Sequence, residues 1–537
     1  MISESAAGKG RSGKIVTLLT EISLLLLSSV LFALSFPSFV SKWGWFPLAY
    51  IAIFPVFIVV HRSGWIRIFI YGLFYGYITY ALFNFWLAQF HPLSIIIVPT
   101  IYAAYFMLLF PILKLADVLF PRYGYLVQLA VWIGYEYLRT TGFLGFAYGI
   151  IGYTQYLFLP LIRSASMAGV WGVSVLVIFP SLFIGNALKN GLDKWKEFVI
   201  TQKGSFFIYF ILFIGAVGYG LISTIDLKDT PEWRTALIQH NVDPWKNEYE
   251  DSLNRLIRLS QEALNYSPAI VVWSETSFIP AIEYHTRYRD DPTAYDLVKK
   301  LTDFLKTQEI PYIIGNDDGQ LKRFGGTERL DYNASLLYYK GEFRQKYWKV
   351  HLVPFTENFP YRNIFPGIYK WLRNADTHFW EKGTEFTVFE ADGIRFSTPI
   401  CFEDTFGYIS RNFVRNGAQI IVNMTNDSWS YSVVSMMQHM SMAVFRAVEN
   451  RRTVLRSTNG GITCTIDPNG KITGILEPFK EGYLLSEVPV YSNTTTLYTR
   501  FGDWLGITAV AAAVALLCFG LVKRRLTIFR KYKKIIR

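Results

Sequence analysis

The sequence predicts a helical membrane domain joined to a mixed α/β domain, and three observations carry that reading. The chain is 51% hydrophobic and 17% aromatic, too apolar for an ordinary soluble protein of 537 residues. Long apolar runs fill residues 1–225 and return in 504–537. Between them, in 226–503, short β-rich runs alternate with amphipathic patterns.

A bilayer core takes about 20 apolar residues per helix. Hydropathy and length predict eight spans, at 15–36, 43–60, 68–90, 93–113, 123–138, 164–187, 205–225 and 504–522. The second and fifth are the shortest signals: Pro47 and Pro55 interrupt one, and Arg139 closely follows the other. A basic stretch precedes the first run, yet its apolar part exceeds the roughly 7 to 15 residues of a signal peptide and no A-x-A-like site follows. It is expected to remain as an uncleaved helix.

The net charge of +12 could suggest nucleic acid, but the surplus sits in GKGRSGK, KNGLDKWKEFVITQK and KRRLTIFRKYKK, each flanking an apolar stretch. That distribution is membrane topology, and no nucleic-acid partner is expected. With a cytoplasmic N-terminus, the inner segments carry Lys9, Arg11 and Lys14, then Arg62 and Arg67, Lys114 and Arg122, Lys189, Lys194, Lys196 and Lys203, and the tail. The outer loops hold only Lys42, Arg139 and Arg163. Seven crossings then put 226–503 outside and the eighth returns the tail to the cytoplasm.

In the polar middle, TALIQHNV, AIVVWSETS, PYIIGND, ASLLYYKGEF, GIRFSTPICFED, AQIIVNMTND, TVLRST and GITCTID read as strands. SLNRLIRLSQEALN, AYDLVKKLTDFLKT and SMMQHMSMAVFRAVENR read as helices. Continuous apolar strands among helices imply sheets covered on both faces.

Three cysteines cannot build a disulfide framework. Cys464 lies in an apparent strand and reads as core; Cys518 lies in the last apolar run. Cys401, in TPICFED, follows the strand IRFSTPI, which puts its sulfur at a sheet rim. A cysteine nucleophile needs a base for its proton and a group to hold the charge on the attacked oxygen. Glu275 follows the strand AIVVW and is a candidate base. Lys349 sits among Tyr347, Trp348, Leu352 and Phe355, where a cation can stabilise an oxyanion or merely cover aromatic surface. Glu357, in the same run, could orient it.

The ordered set of a Glu after a strand, a Lys before HLVPF and a Cys in ICFE resembles the nitrilase superfamily, with its Glu-Lys-Cys triad. Together with the membrane spans it is similar, more narrowly, to the apolipoprotein N-acyltransferase family. The likeness runs along nearly the whole chain: SFPSFVSKWGWFPLAYIAIFP, GLFYGYITYALFNFW, EYLR, GFAYGIIGYTQ and MAGVWGVS, then ALIQHNVDPWKN, WSETS, KVHLVPFTE, ICFED, NMTNDSW, QHMSMAVFRAVENRR and RSTNGGIT. Ser274 stands where the family often has Pro, Ala147 and Tyr148 replace a Pro-Trp pair, and NDSWS lacks the usual glycine. None of these departures removes a base, a cation or a nucleophile.

The resemblance implies a nitrilase-like αββα sandwich set between the seventh and eighth spans. It implies Glu275 as general base, Lys349 as oxyanion stabiliser and Cys401 as nucleophile, with the backbone N–H of Phe402 as a second oxyanion donor. Glu357 and Glu403 match supporting acids, and Trp245 and Phe355 match aromatics near the lipid substrates. The implied reaction passes an acyl group from a phospholipid to Cys401, then to the α-amino group of an S-diacylglyceryl-cysteine on an apolipoprotein. This would take place at the outer face of a bacterial inner membrane. The segment 359–380, rich in aromatics, is a candidate lid or interfacial arm.

No metal or cofactor is expected: the histidines lack ligand spacing, and no GxGxxG, P-loop or GxSxG occurs in context. Glu21 and Glu136 fall in or near spans, where a charge is costly; Glu136 with Arg139 could form an ion pair. The alternatives are a membrane-bound amidase of the same fold that transfers to water, and a non-catalytic lipid-binding membrane protein.

Overall fold

Apolar helices come first along the chain, and the computed structural model describes residues 2–536 apart from 91–92, 244–245, 247, 323–327 and 375–377. Six helical stretches among the described residues are long and apolar enough to cross a bilayer: Gly13–Ser35, Trp65–Phe83, Ser94–Leu119, Ala165–Leu188, Lys203–Ile222 and Trp504–Phe529. The other two expected spans are helical but short. At 43–60 the chain forms a 3-10 turn, Phe46–Tyr50, then a helix, Phe54–Arg62, with Pro47 and Pro55 each in the first turn of its element. At 123–138 it forms Gly124–Leu138, a helix of 15 residues, whose rise of about 22 Å falls below the roughly 30 Å hydrocarbon core.

Polar side chains inside the bundle find partners there. Gln128 donates to the Leu113 carbonyl at 3.0 Å and accepts from Asn186 at 3.2 Å. Glu21 accepts from Arg67 at 2.9 Å and Tyr71 at 2.6 Å. Such bonds hold helices together where lipid gives no hydrophobic drive. The expected Glu136–Arg139 pair is not formed. Glu136 accepts from the Ile151 N–H at 3.1 Å, while Arg139 donates to Tyr102 Oη at 2.6 Å and to the Tyr148 carbonyl at 2.8 Å. The loop after Arg139 supplies carbonyls to the guanidinium and an amide to the carboxylate, so each ion binds backbone instead of the other.

The middle of the chain forms twelve strands among the described residues: β1 (Glu232–Gln239), β2 (Ile270–Val272), β3 (Tyr312–Leu321), β4 (Arg329–Tyr339), β5 (Glu342–Trp348), β6 (Phe389–Ala391), β7 (Ile394–Ser397), β8 (Ile420–Asn426), β9 (Thr453–Asn459), β10 (Cys464–Ile466), β11 (Ile472–Ile475) and β12 (Gly482–Pro489). They make two six-stranded sheets, ordered β12-β1-β2-β3-β4-β5 and β11-β10-β9-β8-β7-β6. In each sheet the central pairs, β1/β2/β3 and β7/β8/β9, are parallel and the flanking pairs antiparallel. The parallel strands are apolar on both faces, as IVV and IIV require. Leu237, Val272, Ile313 and Leu337 join the core between the sheets, and Ala236, Val271, Ile314 and Leu336 join a second core under helices Tyr249–Leu264 and Pro292–Lys306. Helix, sheet, sheet and helix thus stack as the expected αββα sandwich.

Helix Val433–Asn450, on the outside of the second sheet, is buried from Ser435 to its end. One side faces the sheet and the other the membrane helices: Gln438 accepts from Trp86 Nε1 at 3.0 Å, Arg446 donates to Tyr153 Oη at 3.0 Å, and Glu449 accepts from the Val170 N–H at 3.0 Å. That amide is free because the helix Ala165–Leu188 breaks at Ala168 and Gly169, where Gly169 has φ +65°. A Cβ on Gly169 would stand 2.6 Å from the Tyr498 ring.

Gly169→Ala therefore meets both a left-handed backbone and a clash, and should cost about 2 kcal/mol or more. Gly142→Ala meets only the backbone term, because φ is +75° and nothing lies near its Cβ. The expected result is a larger drop in thermal midpoint in detergent for Gly169→Ala; equal drops contradict the docking role.

Candidate active site

The rims of both sheets converge on one buried ammonium. Lys349 follows β5 and is fully buried; its Nζ lies 2.8 Å from Glu357 Oε1 and 3.2 Å from Glu275 Oε1. Glu275 follows β2 in a loop whose next residue, Thr276, has φ +41°. Its Oε1 also accepts from Asn333 Nδ2 at 2.8 Å and its Oε2 from the Asn426 N–H at 2.9 Å. Glu357 Oε2 accepts from the Val353 N–H at 2.9 Å. Both carboxylates are thereby held by groups on separate strands or loops. Burial pulls the Lys349 ammonium down, but Glu275 and Glu357 more than reverse it and hold it above the ordinary lysine value. Burial pushes the Glu357 carboxyl up, against the pull of Lys349.

Cys401 opens the 3-10 turn Cys401–Thr405 just past β7 and has φ +49°, a left-handed conformation costly for a residue with a Cβ. The turn is pinned from several sides. Asn423 Nδ2 donates to the Pro399 carbonyl at 3.1 Å, and the Met424 N–H donates to the same carbonyl at 3.2 Å. Glu403 is the main brace: it accepts from the Ile400, Val350 and His351 amides at 2.7, 2.7 and 2.9 Å and from Tyr347 Oη at 2.8 Å. Burial still raises its carboxyl to about 7. Burial also pushes the Cys401 thiol well above its ordinary value; Glu275 adds to the rise and Lys349 opposes it. That environment favours the neutral thiol over the thiolate.

Glu275, Lys349 and Glu357 meet in one ion network, and Cys401 lies near enough for all three to act on its thiol electrostatically. Glu403 touches the turn and not the ammonium, and Phe402 stands at the first turn of the 3-10 segment, where backbone N–H groups lack intrahelical partners. Phe355, at φ +66°, packs edge-to-face on Phe143 of a membrane-domain loop at 5.3 Å and lies 6.0 Å from Phe359. Trp245 lies outside the described residues. The segment 359–380 carries helix Pro366–Asn374 and leaves Ile364, Phe365, Ile368 and Trp371 exposed. Cys464 is fully buried in β10 and Cys518 is exposed on the last helix.

Residues beyond the sequence-based set also matter. Asn333 and Asn426 hold Glu275, and Gly315 of β3 lets its backbone approach, since a Cβ there would lie 2.1 Å from the Ser274 carbonyl oxygen and 2.8 Å from Glu275 Cα. Beneath the turn, His439 lies 2.7 Å from Asp404 and 2.9 Å from Asp427, and Arg456 pairs with both acids. The only sequence signal for this cluster was a set of charges in runs otherwise apolar enough to be core.

Residues 28–183 match the apolipoprotein N-acyltransferase N-terminal domain, and 234–496 match the carbon-nitrogen hydrolase family. The chain is 42% identical to apolipoprotein N-acyltransferase 1 of Treponema denticola over 95% of this chain and 98% of that one. The chain belongs to the apolipoprotein N-acyltransferase family. The enzyme of the same name from Treponema pallidum is 40% identical over 95% of this chain and 97% of that one, and the apolipoprotein N-acyltransferase of Geobacter metallireducens is 30% identical over 92% and 95%. The chain is thus a membrane acyltransferase with a nitrilase-superfamily domain.

Two predictions follow from the geometry. Gly315→Ala should shift Glu275 by an appreciable fraction of an ångström and slow acyl transfer about 100-fold in a folded protein; an unchanged rate contradicts the fit. Burial lowers His439, but Asp404 and Asp427 raise it to about 9, above its ordinary 6.5. A group raised on folding stabilises fully below its unfolded value, and the contribution is lost as pH climbs through the folded one. The thermal midpoint should therefore fall between pH 6.5 and 9, and His439→Gln should be less stable at pH 6 with a shallower fall across that window.

Proposed function

We propose that the enzyme matures lipoproteins by a two-step transfer through Cys401. A phospholipid presents its sn-1 ester carbonyl to the thiol. Glu275 takes the proton as sulfur attacks, and Lys349 with the Phe402 N–H holds the oxyanion. The C–O bond breaks, the proton returns to the leaving lysophospholipid oxygen, and a thioester remains on Cys401. The α-amino group of an S-diacylglyceryl-cysteine at an apolipoprotein N-terminus then attacks that thioester. Glu275 takes the amine proton, the C–S bond breaks, and the proton passes to sulfur, restoring the thiol. Kinetics are ping-pong.

The observation that carries this reading is one fully buried ammonium shared by two carboxylates beside a strained cysteine turn. A lipid-binding protein without chemistry has no use for that arrangement. Because the thiol is neutral at rest, Glu275 acts in concert with attack, and the nucleophile appears only when a carbonyl is in place.

Both substrates are lipid-anchored, so the bundle holds the reaction centre at the leaflet surface, where they meet at high local concentration. The exposed apolar face around Ile364, Phe365, Ile368 and Trp371 supports a lid or arm resting at the headgroup level. The excess of Lys and Arg on alternate loops supports a catalytic domain on the periplasmic face, with both termini cytoplasmic and eight crossings that include the two short helices. The boundaries that fit this layout are 1–225, 226–503 and 504–537.

Incubation with labelled phospholipid should give a hydroxylamine-sensitive acyl adduct on the Cys401 peptide by mass spectrometry, absent in Cys401→Ser. A diacylated lipopeptide should then discharge it to amide product. Lys349→Met should slow adduct formation about 10² to 10³-fold. An adduct that passes to water in the presence of lipopeptide would instead favour the amidase.

A further inference from the structure

Asn333 of β4 holds Glu275, and the residue that β3 sets opposite Asn333 is Asp317. Asp317 is 4% exposed and reaches out of the sheet to the segment 359–380. Its Oδ1 accepts from Trp380 Nε1 at 2.8 Å, and its Oδ2 lies 3.7 Å from His378 Nε2. Both partners stand where the chain comes back from the exposed helix Pro366–Asn374. The main chain of Trp380 completes the link: its N–H donates to the Glu357 carbonyl at 3.0 Å. The returning chain is then laced to the same sheet, by the Glu381 N–H on the Asp331 carbonyl at 2.8 Å and the Gly383 N–H on the Lys349 carbonyl at 2.9 Å.

What else holds Glu357 gives that link its weight. Its Oε2 accepts from the Val353 N–H at 2.9 Å and its own N–H donates to the Val353 carbonyl at 3.0 Å, so both bonds close within one loop. Its Oε1 meets the Lys349 ammonium, the group that it must itself keep in place. A loop bonded to itself has no fixed position against a sheet, whereas a strand residue does. Trp380 supplies the reference: its amide holds the Glu357 main chain, and its indole is fastened to β3. The register thus provides one strand residue for each acid beside the ammonium. Asn333 reaches Glu275 directly, and Asp317 reaches Glu357 through Trp380.

We infer that Asp317 and Trp380 are positioning residues for acyl transfer: the bond between them fastens the returning end of the segment to β3 and so sets Glu357 against Lys349. They act through Glu357 and not on the substrate. The inference rests on the roles proposed above for Lys349 and Glu357, because a misplaced Glu357 slows the reaction only if the ammonium it holds takes part.

The test uses the full chain in mixed micelles of detergent and dioleoyl phosphatidylethanolamine, with a synthetic diacylated lipopeptide as acceptor, and reads kcat and KM for both. Trp380→Phe keeps an aromatic ring and removes the indole N–H; kcat should fall about tenfold with no rise in either KM. Asp317→Leu should do the same, while Asp317→Asn, which keeps an acceptor oxygen, should recover most of the rate. That pair carries the test if Trp380→Phe does not fold. In a Glu357→Gln background, Trp380→Phe should slow the enzyme less than about twofold further, since both changes act through one group. A segment that is merely tethered gives the other pattern: a raised KM with kcat kept, or losses that multiply with Glu357→Gln. Either result overturns the inference. An unchanged rate in Trp380→Phe beside a slow Glu357→Gln overturns it alone and leaves the roles of Lys349 and Glu357 standing. An unchanged rate in Glu357→Gln overturns both.

Discussion

Lys349 is cut off from water, so its charge must be answered from inside the protein. An isolated buried ammonium would lose its proton or unfold the site. Glu275 and Glu357 answer it, at 3.2 and 2.8 Å. Each carboxylate then needs its other oxygen satisfied, by the Asn426 amide at the end of β8 for Glu275 and the Val353 amide in the loop after β5 for Glu357, while Asn333 in the middle of β4 shares Glu275 Oε1 with the ammonium. Four chain segments are tied to one ammonium.

The same constraint explains why the sandwich has two sheets with their parallel centres side by side. Glu275 leaves the end of β2 in one sheet, while Cys401 follows β7 and Asn426 closes β8 in the other. Strand ends are rigid, so sheet geometry places Glu275 and Cys401 and the loop hydrogen bonds then brace them. The strained φ angles at Thr276, Phe355 and Cys401 fall where those strands give way to the site. Beneath the cysteine turn, two acids, a histidine and an arginine form a buried cluster with paired charges, which lets the turn rest on polar groups without an unpaired ion.

Much of this was legible in the residues. The strand IRFSTPI before Cys401 and AIVVW before Glu275 placed both groups at sheet rims, and the apolar runs marked the bundle. Other parts were not. Pro47 and the 15-residue helix after Tyr123 read as weak spans because length and hydropathy do not say whether a short helix sits deep in a bundle. Asn333 and Gly315 lie inside ordinary-looking strands; their roles depend on which residue the sheet register sets opposite them. Glu136 and Arg139 share one helix end and invite an ion pair, yet the following loop offers each a better partner. Strands β6, β11 and β12 were missed because edge strands carry little apolar signal.

The central claim is that Glu275, Lys349 and Glu357 act as one unit. A double-mutant cycle on the rate of acyl transfer, with Lys349→Met and Glu357→Gln singly and together, tests it most directly. The account predicts a double variant about as slow as Lys349→Met alone, since Glu357 has no role once the ammonium is gone. Losses that multiply as if independent would contradict it.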